Sequence, residues 1–214
     1  MKLLKTLALV LLPALGFSQE KFTIIPAAGY AWRTAKLPSG IDAQTKDYLK
    51  QLKSGFNFDV GAYYRINPMI GLGAKYNLYT ASASGSFSTV GPQGNPVVLN
   101  TETNDKIQFI GAGIIYSNFE EEVKHKLYYD LALGVISYNS QLPGLTMKGS
   151  NLGLAATISY MYAISPSIYI GPQIGYTAGV IKKMKINGVE TDLGKDNYEG
   201  LQRVALNLGA TFRF

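Results

Sequence analysis

Residues that could carry catalysis are scarce in this sequence, which contains one histidine and no cysteine. The histidine, His125, stands between Lys124 and Lys126, where the ordinary role of an imidazole is that of a solvated cation. A nucleophile, a base and a group that orients the base cannot be assembled around it. The lack of cysteine excludes disulfides and thiolate metal sites. The sequence therefore predicts no catalytic site, no metal site and no cofactor, and a protein that is not an enzyme.

Charged side chains recur inside apolar segments, where they could form a buried ion pair. A three-residue turn over residues 66–68 would pair Arg65 with Met69 and, further along the same strands, Asp59 with Lys75. One interpretation of this pair is a charged constriction or a proton path. The other is a structural plug in which the charges neutralise each other. We favour the plug, because removing one partner of a buried ion pair is costly whatever the function.

The elements that would position these charges are eight segments in which apolar residues alternate with other residues. A period of two places the two sets on opposite faces of a strand. Seven segments have an outward face without any charge, whereas the fourth is apolar on both faces and leaves its register undecided. The segments cover residues 22–33, 56–66, 70–80, 107–116, 127–137, 152–164, 168–178 and 204–214.

Segments of this length and polarity favour strands that cross a membrane. A soluble barrel would place polar residues outside, and the longest apolar run after the first 18 residues, 109–115, is too short for a spanning helix. A closed barrel then satisfies the backbone in lipid. The predicted fold is all-β, an eight-stranded antiparallel up-and-down transmembrane β-barrel whose lumen is packed with side chains. The predicted lumen network consists of Asp59, Lys75, Asp130, Arg65, Gln173 and Asn207.

The first 18 residues have the pattern of a cleavable secretory signal. Lys2 and Lys5 precede an apolar run over 7–17, and small residues place the cleavage before Gln19. A membrane anchor is the alternative, but the run is shorter than the roughly 20 residues of a spanning helix and contains Pro13. The predicted domains are a signal peptide, 1–18, and a barrel, 19–214. Removing two lysines lowers the formal charge from +6 to +4, and no basic stripe indicates nucleic-acid binding.

The predicted connections alternate between short and long, as an outer-membrane barrel requires. Short turns near 66–68 and 164–167 would face the periplasm, together with both termini. Long stretches near 34–54, 81–104, 138–150 and 179–200 would face outside. Within them we expect a short helix capped by Asp42, strands that continue above the membrane around residues 91–96, and a hairpin turn at Asn187-Gly188.

Two further features of the strands and loops lead to specific expectations. Pro26 and Pro172 fall inside strands, where each should mark a bulge or a local break in pairing. Lys182, Lys183 and Lys185 follow the seventh strand, at the height where lipopolysaccharide phosphates would lie. A solvated loop edge explains these three lysines about as well.

The chain resembles the small OmpA-like and OmpX-like outer-membrane barrels over residues 19–214. The resemblance rests on the aromatic ending, residues 210–214, and on the glycine-spaced strand over 170–176. It implies an outer-membrane location, contact with lipid and lipopolysaccharide, and a C-terminal signal at Ala210, Phe212 and Phe214 that the barrel-assembly machinery reads. Because nothing follows Phe214, a peptidoglycan-binding role is not expected.

A barrel of this kind could have one of three functions. An enzyme is disfavoured by the missing catalytic groups. A narrow porin-like channel for ions or small solutes would need lumen charges that line water, which eight strands disfavour. The sequence favours a non-enzymatic integral membrane protein that anchors extracellular hairpin loops for envelope integrity or surface interaction.

Overall fold

A computed structural model describes residues 21–35, 40–90, 96–119, 123–194 and 198–214. The predicted signal peptide, 1–18, lies outside these residues. The described chain contains one helix and eleven strands. Their bounds are β1 Phe22–Arg33, α1 Ala43–Gln51, β2 Ser54–Arg65, β3 Ile70–Val90, β4 Pro96–Tyr116, β5 His125–Leu142, β6 Leu145–Ser165, β7 Ile168–Ile181, β8 Lys183–Ile186, β9 Val189–Asp192, β10 Glu199–Gly200 and β11 Arg203–Arg213.

Eight of these strands form a closed antiparallel ring. Strands β1 to β7 pair in chain order, and β11 closes the ring by pairing with both β7 and β1. Each terminal aromatic contributes to the closure, since Phe22 N donates to Phe214 O at 3.0 Å and Phe214 N donates to Phe22 O at 2.8 Å. The predicted eight-stranded up-and-down barrel is confirmed.

The two faces of the ring have opposite polarity, as predicted. The outer face carries large exposed apolar side chains such as Leu152, which is 77% exposed, and Leu133, which is 67% exposed. The inner face buries polar side chains, among them Arg203, which is 1% exposed. Apolar groups outside and charges inside are the reverse of a soluble protein and are suited to lipid.

The fourth strand, whose register the sequence left open, places its odd-numbered residues inside. Ile107, Phe109 and Ile115 are fully buried in the lumen, whereas Ile110 and Ile114 are exposed on the outer face. The lumen consequently holds large apolar side chains besides the polar residues that the sequence predicted there. It contains two apolar clusters with polar networks beside them.

The turn between β2 and β3 differs from the predicted one. Arg65 pairs with Gly71 rather than with Met69, so that Asp59 stands opposite Asn77 rather than opposite Lys75. The cause is the side chain of Asn67, whose Oδ1 accepts hydrogen bonds from the backbone N–H of Met69 and of Ile70, at 2.9 and 2.8 Å. This Asx-type turn lengthens the connection and shifts the register by two residues.

Both prolines interrupt pairing without a bulge. The β1–β11 register is the same before and after Pro26, but pairing lapses at Ile25 and Pro26. Pro172 pairs with Leu208 of β11, whereas its pairing with β6 lapses. The missing N–H of proline explains each gap. The one register shift between β6 and β7 in the described chain lies elsewhere, at Ala163/Ser165.

Long hairpins extend from one end of the barrel, which we call the long-hairpin end; the other is the short-turn end. Strands β3 and β4 stay paired as far as Val90 and Pro96, and β5 and β6 as far as Leu142 and Leu145. At the β8–β9 turn, Asn187 and Gly188 have φ values of 48° and 87°, as a type I′ turn requires. The extended strands and this hairpin were predicted from the sequence.

Candidate functional site: the lumen and its two ends

A buried lysine lies between two carboxylates at the middle of the lumen. Lys75 Nζ is 3.1 Å from Asp59 Oδ1 and 2.6 Å from Asp130 Oδ1, and it also donates to Thr157 Oγ1. All three charged side chains are less than one-tenth exposed. The predicted contact between Asp59 and Lys75 thus forms diagonally across two strands, despite the register difference, and Asp130 joins it from β5.

A chain of amides connects this ion cluster to the last strand. Asn77 Nδ2 donates to Asp59 Oδ2 and to Asn57 Oδ1, each at 3.1 Å, and Asn57 Nδ2 donates to Asn207 Oδ1 at 3.1 Å. Arg203 donates to Asn77 Oδ1. Arg203 and Lys75 together balance the charges of Asp59 and Asp130. Side chains from strands on several sides of the ring therefore meet in one neutral network that fills the lumen.

The remaining predicted lumen residues have other surroundings. Gln173 is buried opposite Asn207, and its amide has no hydrogen-bond partner among the described residues. It lies over Gly209, because a Cβ at that glycine would come within 2.5 Å of Gln173 Nε2. Arg65 is only half-buried at the short-turn end, six residues along β2 from Asp59, and does not belong to the network.

A second ion cluster lies nearer the long-hairpin end. Arg33 contacts Asp105 at 3.2 Å and bonds to Glu199, and it also donates to Gly200 O at 3.0 Å. Tyr138 donates to Asp105 at 3.1 Å, and the Arg33 guanidinium lies 5.7 Å from the centre of the Tyr138 ring. These contacts tie β1, β4, β5 and β10 together across the lumen.

Sequence reasoning missed part of both clusters. Asn57 and Asn77 lie on the same strand faces as Asp59 and Lys75, so the period of two could have identified them. Arg203 is the first inward residue of β11 and could have been found in the same way. Asp105 and Glu199 lay outside the predicted strands, and no local signal brought them to Arg33.

The helix closes the lumen at the long-hairpin end. Its residue Tyr48 and the adjoining Leu52 are buried among inward side chains of the barrel. Tyr79 donates to Leu52 O at 2.9 Å, and Tyr48 is bonded to Thr103. Asp42 caps the helix as predicted, accepting from the backbone N–H of Thr45 at 2.9 Å. The Thr45 hydroxyl also donates to Asp42 Oδ2 at 2.6 Å, and the hydrogen bonds from the Thr45 side chain and backbone lower the pKa of Asp42 below its ordinary value.

A phenylalanine closes the lumen at the short-turn end. Phe119 is 1% exposed and its ring meets that of Tyr128 edge-on, with centroids 6.1 Å apart. Its backbone N–H donates to Pro68 O at 2.9 Å, and its carbonyl accepts from Arg213. Arg213 also donates to Tyr169 at 3.2 Å. Aromatic rings and a guanidinium therefore occupy this end of the barrel.

His125 lies on the outer face of the barrel, at the start of β5. Its ring stacks on Tyr160 with centroids 5.7 Å apart, and Nδ1 is 2.6 Å from the Tyr160 hydroxyl. Tyr162 packs edge-on against it at 5.3 Å. The imidazole is therefore part of an exposed aromatic group, outside the lumen and away from Lys75 and its carboxylates.

Other exposed aromatics pair at both ends of the outer face. Phe22 and Tyr64 lie 5.3 Å apart at the short-turn end, and Tyr30 and Trp32 lie 5.3 Å apart towards the long-hairpin end. Rings with a polar edge are favoured where hydrocarbon meets water. In the described ranges, no three His, Cys, Asp or Glu side chains cluster to hold a metal. The described part of the chain has no helix that is long and apolar enough to cross a membrane.

The eight-stranded ring, the apolar outer face and the filled lumen define the fold of a small outer-membrane β-barrel protein. Solved structures agree with this assignment. The chain is similar to Neisserial surface protein A (NspA), with 20% identity, coverage of 90% of this chain and 97% of that one, and a TM-score of 0.56. It is also similar to a major outer membrane protein from Thermus thermophilus, with 12% identity, coverage of 91% and 98%, and a TM-score of 0.51. No protein-family model and no curated protein matches the sequence. The predicted resemblance to small outer-membrane barrels is confirmed for the fold.

Proposed function

We propose that this protein is a non-enzymatic outer-membrane barrel with a closed lumen, which anchors extracellular hairpins for envelope integrity or surface interaction. The observation that carries the proposal is the closure of the lumen at three levels. Tyr48 and Leu52 lie across one end, the network around Lys75 fills the middle, and Phe119 occupies the other end. Because an eight-stranded ring has room for little more than its own side chains, this filling supports an anchor rather than a channel.

The chemistry of the described residues supports a non-enzymatic role. The lumen carboxylates Asp59, Asp130 and Asp105 are bonded to lysine, arginine, tyrosine or amide groups, and each is less than one-tenth exposed. The imidazole of His125 faces outwards and is bonded to Tyr160. A catalytic site needs a nucleophile or base that a substrate can reach. The fold by itself assigns no activity.

The orientation in the proposal follows from the lengths of the connections. The long-hairpin end would face outside and the short-turn end, with Phe22 and Phe214, would face the periplasm. Ala210, Phe212 and Phe214 belong to the closing strand or its end, where Ala210 pairs with Ile170 and Phe212 with Ile24. The three side chains lie half-buried on the outer face of the barrel, which supports their proposed recognition by the assembly machinery.

Single-cysteine labelling tests the proposed anchoring of extracellular hairpins. The chain has no cysteine, so Val98→Cys on the β4 side of the longest hairpin and Met69→Cys in a short turn each give one reactive thiol. Both positions are exposed. A membrane-impermeant maleimide added to intact cells should label the Val98 variant and leave the Met69 variant unlabelled until the outer membrane is opened. Labelling of the Met69 variant alone in intact cells would overturn the orientation.

A further inference from the structure

A basic cleft of about 490 Å³ lies on the outer surface of the barrel at the long-hairpin end. Four lysines line it, Lys106, Lys148, Lys183 and Lys185, together with one acidic residue, Glu190. The formal charge of the lining is therefore +3. The four lysines are exposed on the side of the sheet opposite the Lys75 network, and the lining also includes the buried Tyr138, whose hydroxyl belongs to the Arg33 cluster.

The lysines are held in a row by backbone pairing across neighbouring strands. Lys106 of β4 pairs with Asn139 of β5, which pairs with Lys148 of β6; Lys148 pairs in turn with Lys185 of β8. Because neighbouring strands are about 4.8 Å apart, Lys106 and Lys148 are about 10 Å apart along the row, with Lys185 one strand further. This spacing comes from the sheet itself, and not from flexible loops.

The row includes a like-charge pair that disfavours the folded state. Lys148 and Lys185 stand directly opposite each other on the same face. Like charges at such positions are destabilising. Glu190 is the cross-strand partner of Lys185. Its carboxylate lies 3.9 Å from the ammonium group of Lys183, and the side chains of Glu190 and Lys183 are both largely exposed. One carboxylate cannot neutralise four ammonium groups, so the cleft retains an excess of positive charge that suits an anion.

A change of polarity along three strands fixes the position of the cleft relative to the membrane surface. On β4 the outward residues run from Ile110 to Gln108 and Lys106; on β6 they run from Leu152 to Ser150 and Lys148. On β5 the order is Val135, Ser137 and Asn139. Each strand thus passes from an exposed aliphatic side chain to two polar residues. The polar residues begin where the lipid-facing surface ends, which is the level of lipid phosphate groups.

We propose that this cleft binds the phosphate groups of a phosphorylated outer-leaflet glycolipid, that is, the lipid A part of lipopolysaccharide. The acyl chains would lie along the aliphatic surface below, and the ammonium groups would bond to phosphate oxygens. The inference rests on the proposed function only for the orientation of the barrel in the membrane. The cleft shares Lys183 and Lys185 with the set predicted from the sequence, does not include Lys182, and adds Lys106 and Lys148.

The test compares two variants of the full refolded chain in detergent micelles, titrated with purified lipopolysaccharide. Lys148→Gln/Lys185→Gln removes the opposed pair. Lys46→Gln/Lys124→Gln is the matched control, since it removes two exposed lysines outside the cleft. We expect the first variant to bind about a hundredfold more weakly, at about tenfold for each charge-assisted contact. We expect the control to bind within about twofold of the unaltered chain, because it removes no contact.

Two further titrations test which part of the glycolipid the cleft recognises. Dephosphorylated lipopolysaccharide should bind the unaltered chain as weakly as the cleft variant binds the intact glycolipid. Inorganic phosphate at the same molar concentration should not compete, because it lacks the acyl chains. Equal affinity of the two lysine variants, or competition by inorganic phosphate alone, would overturn the proposal. The titration in micelles does not depend on orientation, so its failure leaves the labelling experiment on Val98 and Met69 unaffected.

A structural role for the opposed lysines gives a different result. If Lys148 and Lys185 served only to hold β8 on β6, their replacement would lower the resistance of the barrel to urea. We expect unchanged or slightly higher resistance, because a like-charge repulsion is removed. A loss of stability together with the loss of lipopolysaccharide binding would contradict the inference.

Discussion

Lys75 is bonded to Asp59 although the two residues are not cross-strand partners. Lys75 stands opposite Gly61 and reaches diagonally to the carboxylate of Asp59, which stands opposite Asn77. The same ammonium group contacts Asp130 on β5. One lysine thus contacts carboxylates from two strands, β2 and β5, that are not neighbours in the ring. Side-chain contacts across the lumen therefore stabilise the barrel in addition to the backbone pairing of neighbouring strands.

Removal of Lys75 should cost more than removal of either of its partners. Lys75→Ala leaves two buried carboxylates facing each other, and we expect a loss of about 3–5 kcal/mol. Asp59→Ala leaves the lysine bonded to Asp130, and we expect a loss of about 1–2 kcal/mol. The measurement is urea unfolding of the refolded protein in vesicles, followed by the fluorescence of Trp32, the single tryptophan of the chain.

The double variant Asp59→Ala/Lys75→Ala isolates the contact. It should recover part of the summed loss, since the two single changes remove the same ion pair. Purely additive losses would show that the pair is not energetically coupled. Asp47→Ala/Lys50→Ala is a suitable control, because that ion pair is exposed on α1 and should show little coupling.

Phe119→Ala should open the short-turn end of the lumen. The ring is buried against Tyr128 and packed with Met161 and Tyr169, so its removal leaves a cavity. We expect a loss of stability of about 3 kcal/mol in the same urea assay. Phe119→Leu should retain most of the filling and lose less than half as much. An alanine variant as stable as the unaltered chain would contradict the assigned plug.

Glycine is required on β3 where two strands approach closely. A Cβ at Gly73 would lie 1.9 Å from the carbonyl oxygen of Ala62, so Gly73→Ala should destabilise the barrel by about 1–3 kcal/mol. Gly175 on β7 is the matched control, because the nearest atom to its Cβ would be 3.8 Å away. Gly175→Ala should be neutral within about 0.5 kcal/mol. Equal losses for the two variants would contradict this difference in packing.

The cap of α1 should be sensitive to acid. The Asp42 side chain accepts from Thr45, and these hydrogen bonds lower its pKa below the ordinary value near 3.8. Because the folded-state pKa is the lower one, the cap stabilises α1 above about pH 4 and is lost as the pH falls through the folded-state value. The protection factors of the amides of residues 43–51, that is, their exchange rates relative to the intrinsic rate at each pH, should therefore fall below about pH 4, and Asp42→Ala should lower them at neutral pH. Asp42→Asn should retain the protection at neutral pH and lose the acid response.

The sequence predicted the ring of strands well, because a strand with a period of two and one apolar face can place only that face towards lipid. β1 was predicted with its observed bounds, and β7 begins at the predicted Ile168. The register of β4 could not be predicted, since Ile107 and Ile110 are equally apolar and the lumen accepts both kinds of residue. The β2–β3 register depended on one side chain, Asn67, whose hydrogen bonds to the backbone lengthen the turn.

The candidate sites were predicted less completely than the ring. Asp59, Lys75 and Asp130 stood out because charge is rare on strands that cross a membrane. The cleft was only half predicted, because Lys106 and Lys148 lie far along the chain from Lys183 and Lys185. Pairing of β8 with β6 brings them together, and that pairing lies beyond what a local pattern can indicate.

Conductance across a planar bilayer is the most direct test of the closed lumen. The refolded barrel, residues 19–214, should insert without discrete channel openings, because Leu52, the Lys75 network and Phe119 fill the path at successive levels. Insertion is established in the same sample by blue-shifted Trp32 emission and by resistance to urea. Reproducible unitary openings from correctly inserted protein would contradict the account and would favour the narrow-channel alternative.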